Sequence, residues 1–115
     1  MIKVDIKPLS INESWQGRRF KTPKYKHYRQ ALLYLLPVDG AIGYSKQDRL
    51  ELSIEWGFSN KQSDIDNCAK GFIDGLQDKY GFNDSQIYKL NLSKEIVKKG
   101  SEYIKFNIER LNGKN

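Results

Sequence analysis

The chain has one cysteine, Cys68, and one histidine, His27, among 115 residues. A lone cysteine excludes an intrachain disulfide and fits a reducing compartment. One Cys and one His leave zinc without a ligand set. They also give no basis for a Cys-His or Ser-His-Asp nucleophile, because nothing locates His27 beside Cys68; in its tyrosine-rich helical stretch, His27 reads as surface or packing. Long apolar runs are missing too. The longest, Ala31 to Leu36, falls far short of the ~20 residues a bilayer span takes. Lys3, Asp5 and Lys7 interrupt any apolar N-terminal stretch, so no signal peptide and no membrane attachment are expected, and the expected location is the cytoplasm. Repeats, linkers and low-complexity segments are absent, which predicts one domain over residues 1–115.

Charge is present in abundance, and it is uneven. The net charge is +6, and residues 1–30 carry eight Lys/Arg against two acids. From Gln16 to Arg29 there are six basic residues and no acid, namely Arg18, Arg19, Lys21, Lys24, Lys26 and Arg29, interleaved with Phe20, Tyr25 and Tyr28. Such a segment suits a polyanion, with cations for phosphates and rings for unpaired bases. The spacing of Tyr25, Tyr28, Leu32 and Leu36 equally makes an apolar helix stripe, and for the tyrosines that packing reading is preferred.

Ile2, Val4 and Ile6 alternate with Lys3 and Asp5, the pattern of a half-buried strand. Thr22-Pro23 predicts a helix start and Pro37 its stop. Leu50, Leu52, Ile54, Trp56 and Phe58 then form the clearest strand. An amphipathic helix is predicted from about Asp66 to Tyr80, ended by Gly81. A strand carrying Tyr88, Leu90 and Leu92 follows. Lys98-Lys99-Gly100-Ser101 predicts a hairpin turn into a strand with Ile104, Phe106 and Ile108 inward. These elements predict a small α+β domain with a mixed sheet and two main helices.

The chemistry concentrates in Ser63 to Leu76. Asp64 and Asp66 stand one residue apart where a loop becomes a helix, Lys70 follows one turn later, and Asn83-Asp84 lies past the helix-ending Gly81. Hard oxygen ligands with a nearby cation are what divalent-metal chemistry on phosphates requires. One aspartate could instead cap the helix, whereas a second two residues away adds little capping and some repulsion. An EF-hand is excluded, because its sixth and twelfth positions, counted from Asp64, hold Ala69 and Gly75. Residue types alone leave capping and metal binding both open.

Asp64-Ile65-Asp66-Asn67, Lys70, Asp74, Gly81-Phe82 and Asn83-Asp84-Ser85-Gln86-Ile87 together resemble the RusA family of Holliday-junction resolvases, over about residues 46–110. The resemblance implies a magnesium-dependent endodeoxyribonuclease, with manganese as a substitute, that resolves four-way DNA junctions by paired nicks in recombination and repair. It implies a homodimer of RusA-like fold acting on branched DNA in the cytoplasm, of the kind phages and prophages also encode. Carried over, Asp64, Asp66 and Asp84 are the metal ligands and Lys70 the essential lysine. Asn67 and Asp74 are expected behind the ligands, and Lys94 is expected at a DNA contact along with the basic residues above. Asn83 departs from a family position that is often acidic. Two other readings compete: a non-catalytic basic DNA-binding module, and a less selective nuclease for branched or flap DNA.

Overall fold

The computed structural model describes residues 1–10, 15–16, 20–38 and 44–111, with the backbone alone at 15, 16, 20 and 21. In chain order the elements are β1 (Ile2–Val4), β2 (Trp15–Gln16), β3 (Phe20–Lys21), α1 (Pro23–Leu35), β4 (Leu50–Phe58), α2 (Ala69–Tyr80), β5 (Ile87–Ile96) and β6 (Tyr103–Arg110). A single 3-10 turn, Asp84–Gln86, leads into β5.

The alternation from Leu50 to Phe58 builds the centre of the domain. On β4, Leu50, Leu52, Ile54 and Trp56 are buried to within 1% of complete. Burying a row of that kind requires a neighbour on each side and a layer above. The strand order β1-β6-β4-β5 supplies the neighbours, with β5 parallel to β4 and β6 antiparallel to it. Both helices supply the layer. Tyr25, Tyr28 and Leu32 of α1 and Phe72 and Leu76 of α2 join the strand residues in one core. Phe72 lies edge-on to Trp56 at 5.8 Å between centroids and to Phe106 at 5.6 Å, a favoured aromatic geometry. The result is an α+β domain with a mixed four-stranded sheet and two helices; β2 and β3 pair separately.

Helix α1 begins where the sequence predicts. Thr22 caps it by accepting from the Tyr25 N–H at 3.1 Å, and Pro23 occupies the first turn. Tyr25 and Tyr28 belong to the core, as the packing reading requires. Gly81 ends α2 with φ of 79°, a left-handed conformation that glycine adopts without a Cβ penalty.

Two expectations need correction. Helix α2 starts at Ala69, not Asp66, because residues 65–68 form bends and a turn. The turn at Lys98–Ser101 exists, closed by the Ser101 N–H donating to the Lys98 carbonyl at 2.9 Å, but β5 and β6 are not a hairpin. They lie on opposite sides of β4, since pairing them with each other would leave the most apolar strand short of one neighbour. In β5 the pairing is irregular at its start, Leu50 with Ile87 and Glu51 with Lys89, so Tyr88 is passed over in the register with β4.

The face of the sheet away from the helices is polar. Glu51 meets Lys89 at 3.7 Å, and Asn91 donates to Glu51 and Ser53. Tyr103 donates to Glu55, whose carboxylate pushes the phenol up to about 12. The Tyr103 ring also packs against Gly57. A Cβ built at Gly57 would come within 2.3 Å of that ring. Gly57→Ala is therefore expected to cost about 1–3 kcal/mol, the usual range for overpacking, and urea denaturation would measure it.

Candidate functional site

The loop between β4 and α2 carries Asp64 and Asp66, and its backbone is fastened on both sides of Asp64. From β5, the Lys94 ammonium donates to the carbonyls of Lys61 at 2.9 Å and Ser63 at 2.8 Å. From β4, the Trp56 indole N–H donates to the Ile65 carbonyl at 2.6 Å. Within the loop, the Asn67 amide donates to an Asp64 carboxylate oxygen at 3.1 Å. The N-cap of α2 is Cys68, with no side-chain capping bond, and the first helical turn holds no acid. Neither aspartate caps the helix. Both are exposed, at the end of a braced loop, where a carboxylate keeps its lone pairs available.

A second set of groups is centred on Lys70. Its ammonium stands 3.3 Å from Asp74 and 3.8 Å from Asp84. The lysine side chain is 66% exposed, so these pairs add little to stability; they fix where the cation rests. Gln77 ties the two acids together, its amide nitrogen donating to Asp74 at 3.2 Å and its oxygen accepting from the Asp84 backbone N–H at 2.8 Å. Asn83 caps the 3-10 turn, accepting from the Ser85 N–H, while Gln86 accepts from the Asn83 N–H. An amide does this capping without adding a second negative charge beside Asp84. The Gln86 amide in turn donates to the carbonyls of Ser45 and Asp48.

Two clefts flank these groups. One, of about 430 Å³, is lined by Lys7, Asn60, Gln62, Asp64 and Asn67 among others. The other, of about 360 Å³, includes Lys70, Asp84, Tyr88 and Lys89. Asp64 and Asp84 thus open onto different clefts. Among the described residues no three His, Cys, Asp or Glu side chains come together closely enough to hold a metal ion. Topology gives the reason: Asp64 follows the C-terminal end of β4, whereas Asp84 precedes the N-terminal start of β5, its parallel neighbour. Lys70 spans part of that gap.

The donors nonetheless suit magnesium in kind. That ion takes hard oxygens, often from one or two carboxylates, and completes its shell with water and phosphate oxygens rather than an all-protein cage.

Of the predicted DNA-facing residues, Lys24 and Lys26 stand exposed on α1. Arg18 and Arg19 lie outside the described residues, as does the side chain of Lys21. Arg29 is committed to the fold, ion-paired with Asp78 and bonded to Tyr25 and to the Asp74 carbonyl. Lys94 is likewise engaged with backbone. Gln77 and Trp56 have positioning roles that the sequence hides, since a glutamine on a helix edge and a core tryptophan carry no distinguishing pattern.

A family model described as endodeoxyribonuclease RusA matches residues 9–108. No curated protein matches the chain.

Replacing Lys94 by Met keeps the aliphatic stem and removes both loop bonds. Amide hydrogen exchange is expected to speed up selectively over residues 61–65, while the exchange of β4 and β6 amides stays unchanged.

Proposed function

The chain belongs to the RusA endodeoxyribonuclease family, and from that premise we propose that it resolves four-way DNA junctions by cation-assisted phosphodiester hydrolysis. The observation that carries this reading is the extent of the match, residues 9–108, which includes Asp64, Asp66, Lys70 and Asp84. The freedom of Asp64 and Asp66 from capping supports it.

In this mechanism Asp64, Asp66 and Asp84 would hold Mg²⁺, with Mn²⁺ as a substitute. When bound, such a cation draws charge from a phosphate and acidifies water. The chain's own groups do the positioning. Asn67 orients the Asp64 carboxylate, and Lys94 and Trp56 keep its loop from drifting. Gln77 fixes the backbone that presents Asp84. Lys70 rests between Asp74 and Asp84, and an arriving phosphate offers it a stronger acceptor. Its charge then serves the oxygens on which negative charge develops.

Lys24 and Lys26, with the basic segment before them, would hold the DNA backbone. A junction presents two equivalent strands, so a two-fold dimer gives each its own site. Work on recombining DNA, in a cell or a phage-infected one, places the protein in the cytoplasm.

The competing reading is a basic DNA-binding module without catalysis, and the separation of Asp64 from Asp84 favours it. Incubation with a synthetic four-way junction, with and without Mg²⁺, distinguishes the two. The resolvase reading expects symmetric paired nicks that depend on the cation, and bare binding would refute it. A flap and a linear duplex in parallel reveal any broader substrate range.

Asp64→Asn, Asp66→Asn and Asp84→Asn are each expected to lower cleavage about 10²–10³-fold, the scale of removing one electrostatic contributor. Junction binding should persist or tighten as phosphate repulsion falls. Wild-type cutting by any one of them would remove that residue from the site. Binding should also weaken steeply between 50 and 200 mM salt, on the order of tenfold or more, if several lysines and arginines neutralise phosphates; a flat salt response would exclude the basic face.

A further inference from the structure

A further concavity, of about 260 Å³, lies between α1 and the segment that follows β1. Pro8, Leu9 and Tyr28 are buried and make its floor, and half-buried Ile6 and Ala31 continue the apolar wall. Lys7, Lys24 and His27 are exposed and stand at its mouth. The described residues around it include no acid, whereas the 430 Å³ cleft beside it carries Asp64 and Glu102. An apolar bowl under basic side chains, with no carboxylate, suits a ligand that joins an apolar body to negative charge.

The walls are set by the fold itself. Thr22 caps α1 on one side. On the other, the Ile6 N–H donates to the Val4 carbonyl at 2.9 Å and turns the chain directly after β1, and the ring of Pro8 restricts the backbone that follows. A site already in shape loses little freedom on binding.

Position points to the ligand. Lys7 and Pro8 line both this bowl and the cleft that contains Asp64, so the two share a wall. A DNA strand with one phosphate in the Asp64 cleft and its next sugar over Lys7 and Pro8 carries the neighbouring base above the bowl. The bowl is smaller than the roughly 300–1,000 Å³ of ordinary small-molecule pockets, and one base suits it where a base pair does not. Bases at a branch point are the easiest to extrude, because leaving the stack costs least where pairing is already interrupted.

We propose that this bowl is a base-binding subsite. It takes one unstacked nucleobase of the DNA whose adjacent phosphate lies in the Asp64 cleft, and the flanking phosphates rest against Lys7, Lys24 and His27. This deepens the nuclease reading and rests on it for its purpose. Ile6, Pro8, Leu9 and Ala31 cover the flat face that every base shares, so the subsite holds a strand in place without demanding a sequence.

Oligothymidine and a base-free deoxyribose-phosphate chain of equal length carry the same charge, and comparing them in EDTA isolates the base. Oligothymidine is expected to bind at least about fivefold tighter in fluorescence anisotropy, the lower end of what one held base contributes; equal affinities would overturn the proposal. Amide NMR of the wild-type protein locates the difference. Oligothymidine should shift the Ile6, Leu9 and Ala31 amides more than the base-free chain does, and extra shifts confined to other residues would overturn the proposal. Ala31→Phe fills the bowl and is expected to bring the two affinities together, with circular dichroism reporting that the helices are intact; an undiminished preference counts against the subsite. Should that variant unfold, the wild-type spectra decide. Anionic phospholipid vesicles that move these amides where oligothymidine leaves them unmoved would give the bowl to an acyl chain instead. None of these readouts needs a junction, a cation or a cut. A protein that prefers bases yet never cuts would cost only the nuclease reading, and a nuclease that binds both chains equally would cost only this one.

Discussion

The domain depends on one constraint: β4 must be covered on every side. Its apolar face carries Leu50, Leu52, Ile54 and Trp56 at near-complete burial, and no arrangement with β4 at an edge would protect them. Placing it between β5 and β6 makes one pairing parallel and the other antiparallel. A parallel neighbour demands a crossover, and α2 is that crossover. The loop that begins it and the turn that ends it are the two places where the acidic residues sit. The site is thus a by-product of how the core strand finds its partners.

The same constraint explains why the acids are spread out. A crossover starts at one end of a strand pair and finishes at the other, so the Asp64 loop and the Asp84 turn begin far apart. What reaches between them is the long side chain of Lys70, which comes off the first turn of α2 and meets Asp74 and Asp84. Around it the fold spends polar groups on orientation. Gln77 joins Asp74 to the Asp84 backbone, Asn67 holds Asp64, and Lys94 with Trp56 brackets the loop. A charged group exposed at the end of a braced backbone can meet a ligand at small entropic cost, because its own position is already restricted.

Cations prove to be of two kinds here. Lys26 is exposed on α1, whereas Arg29 and Lys94 are fastened to α2 and to the loop. All three look alike in the sequence. An arginine with an aromatic neighbour reads as a nucleic-acid contact until the partner helix arrives with Asp78 and the Asp74 carbonyl. Asn83 shows the same ambiguity: in the chain it stands where an acid is often found, and in the fold it is the cap of the turn that presents Asp84.

What local geometry controls was already legible along the chain. The Thr22-Pro23 start of α1, the left-handed end of α2 at Gly81, the alternation of β4 and the packing of Tyr25 and Tyr28 all follow from short-range sterics and a period of two or nearly four residues. Its order of Asp64, Asp66, Lys70 and Asp84 also marked the family, since that order is carried by the chain itself. Folding alone settles which strands meet, that the turn after β5 leads across β4, and that α2 begins three residues later than its amphipathic stripe suggests. Those outcomes turn on competition between distant segments for the same buried face, and one-dimensional spacing does not encode which of them wins.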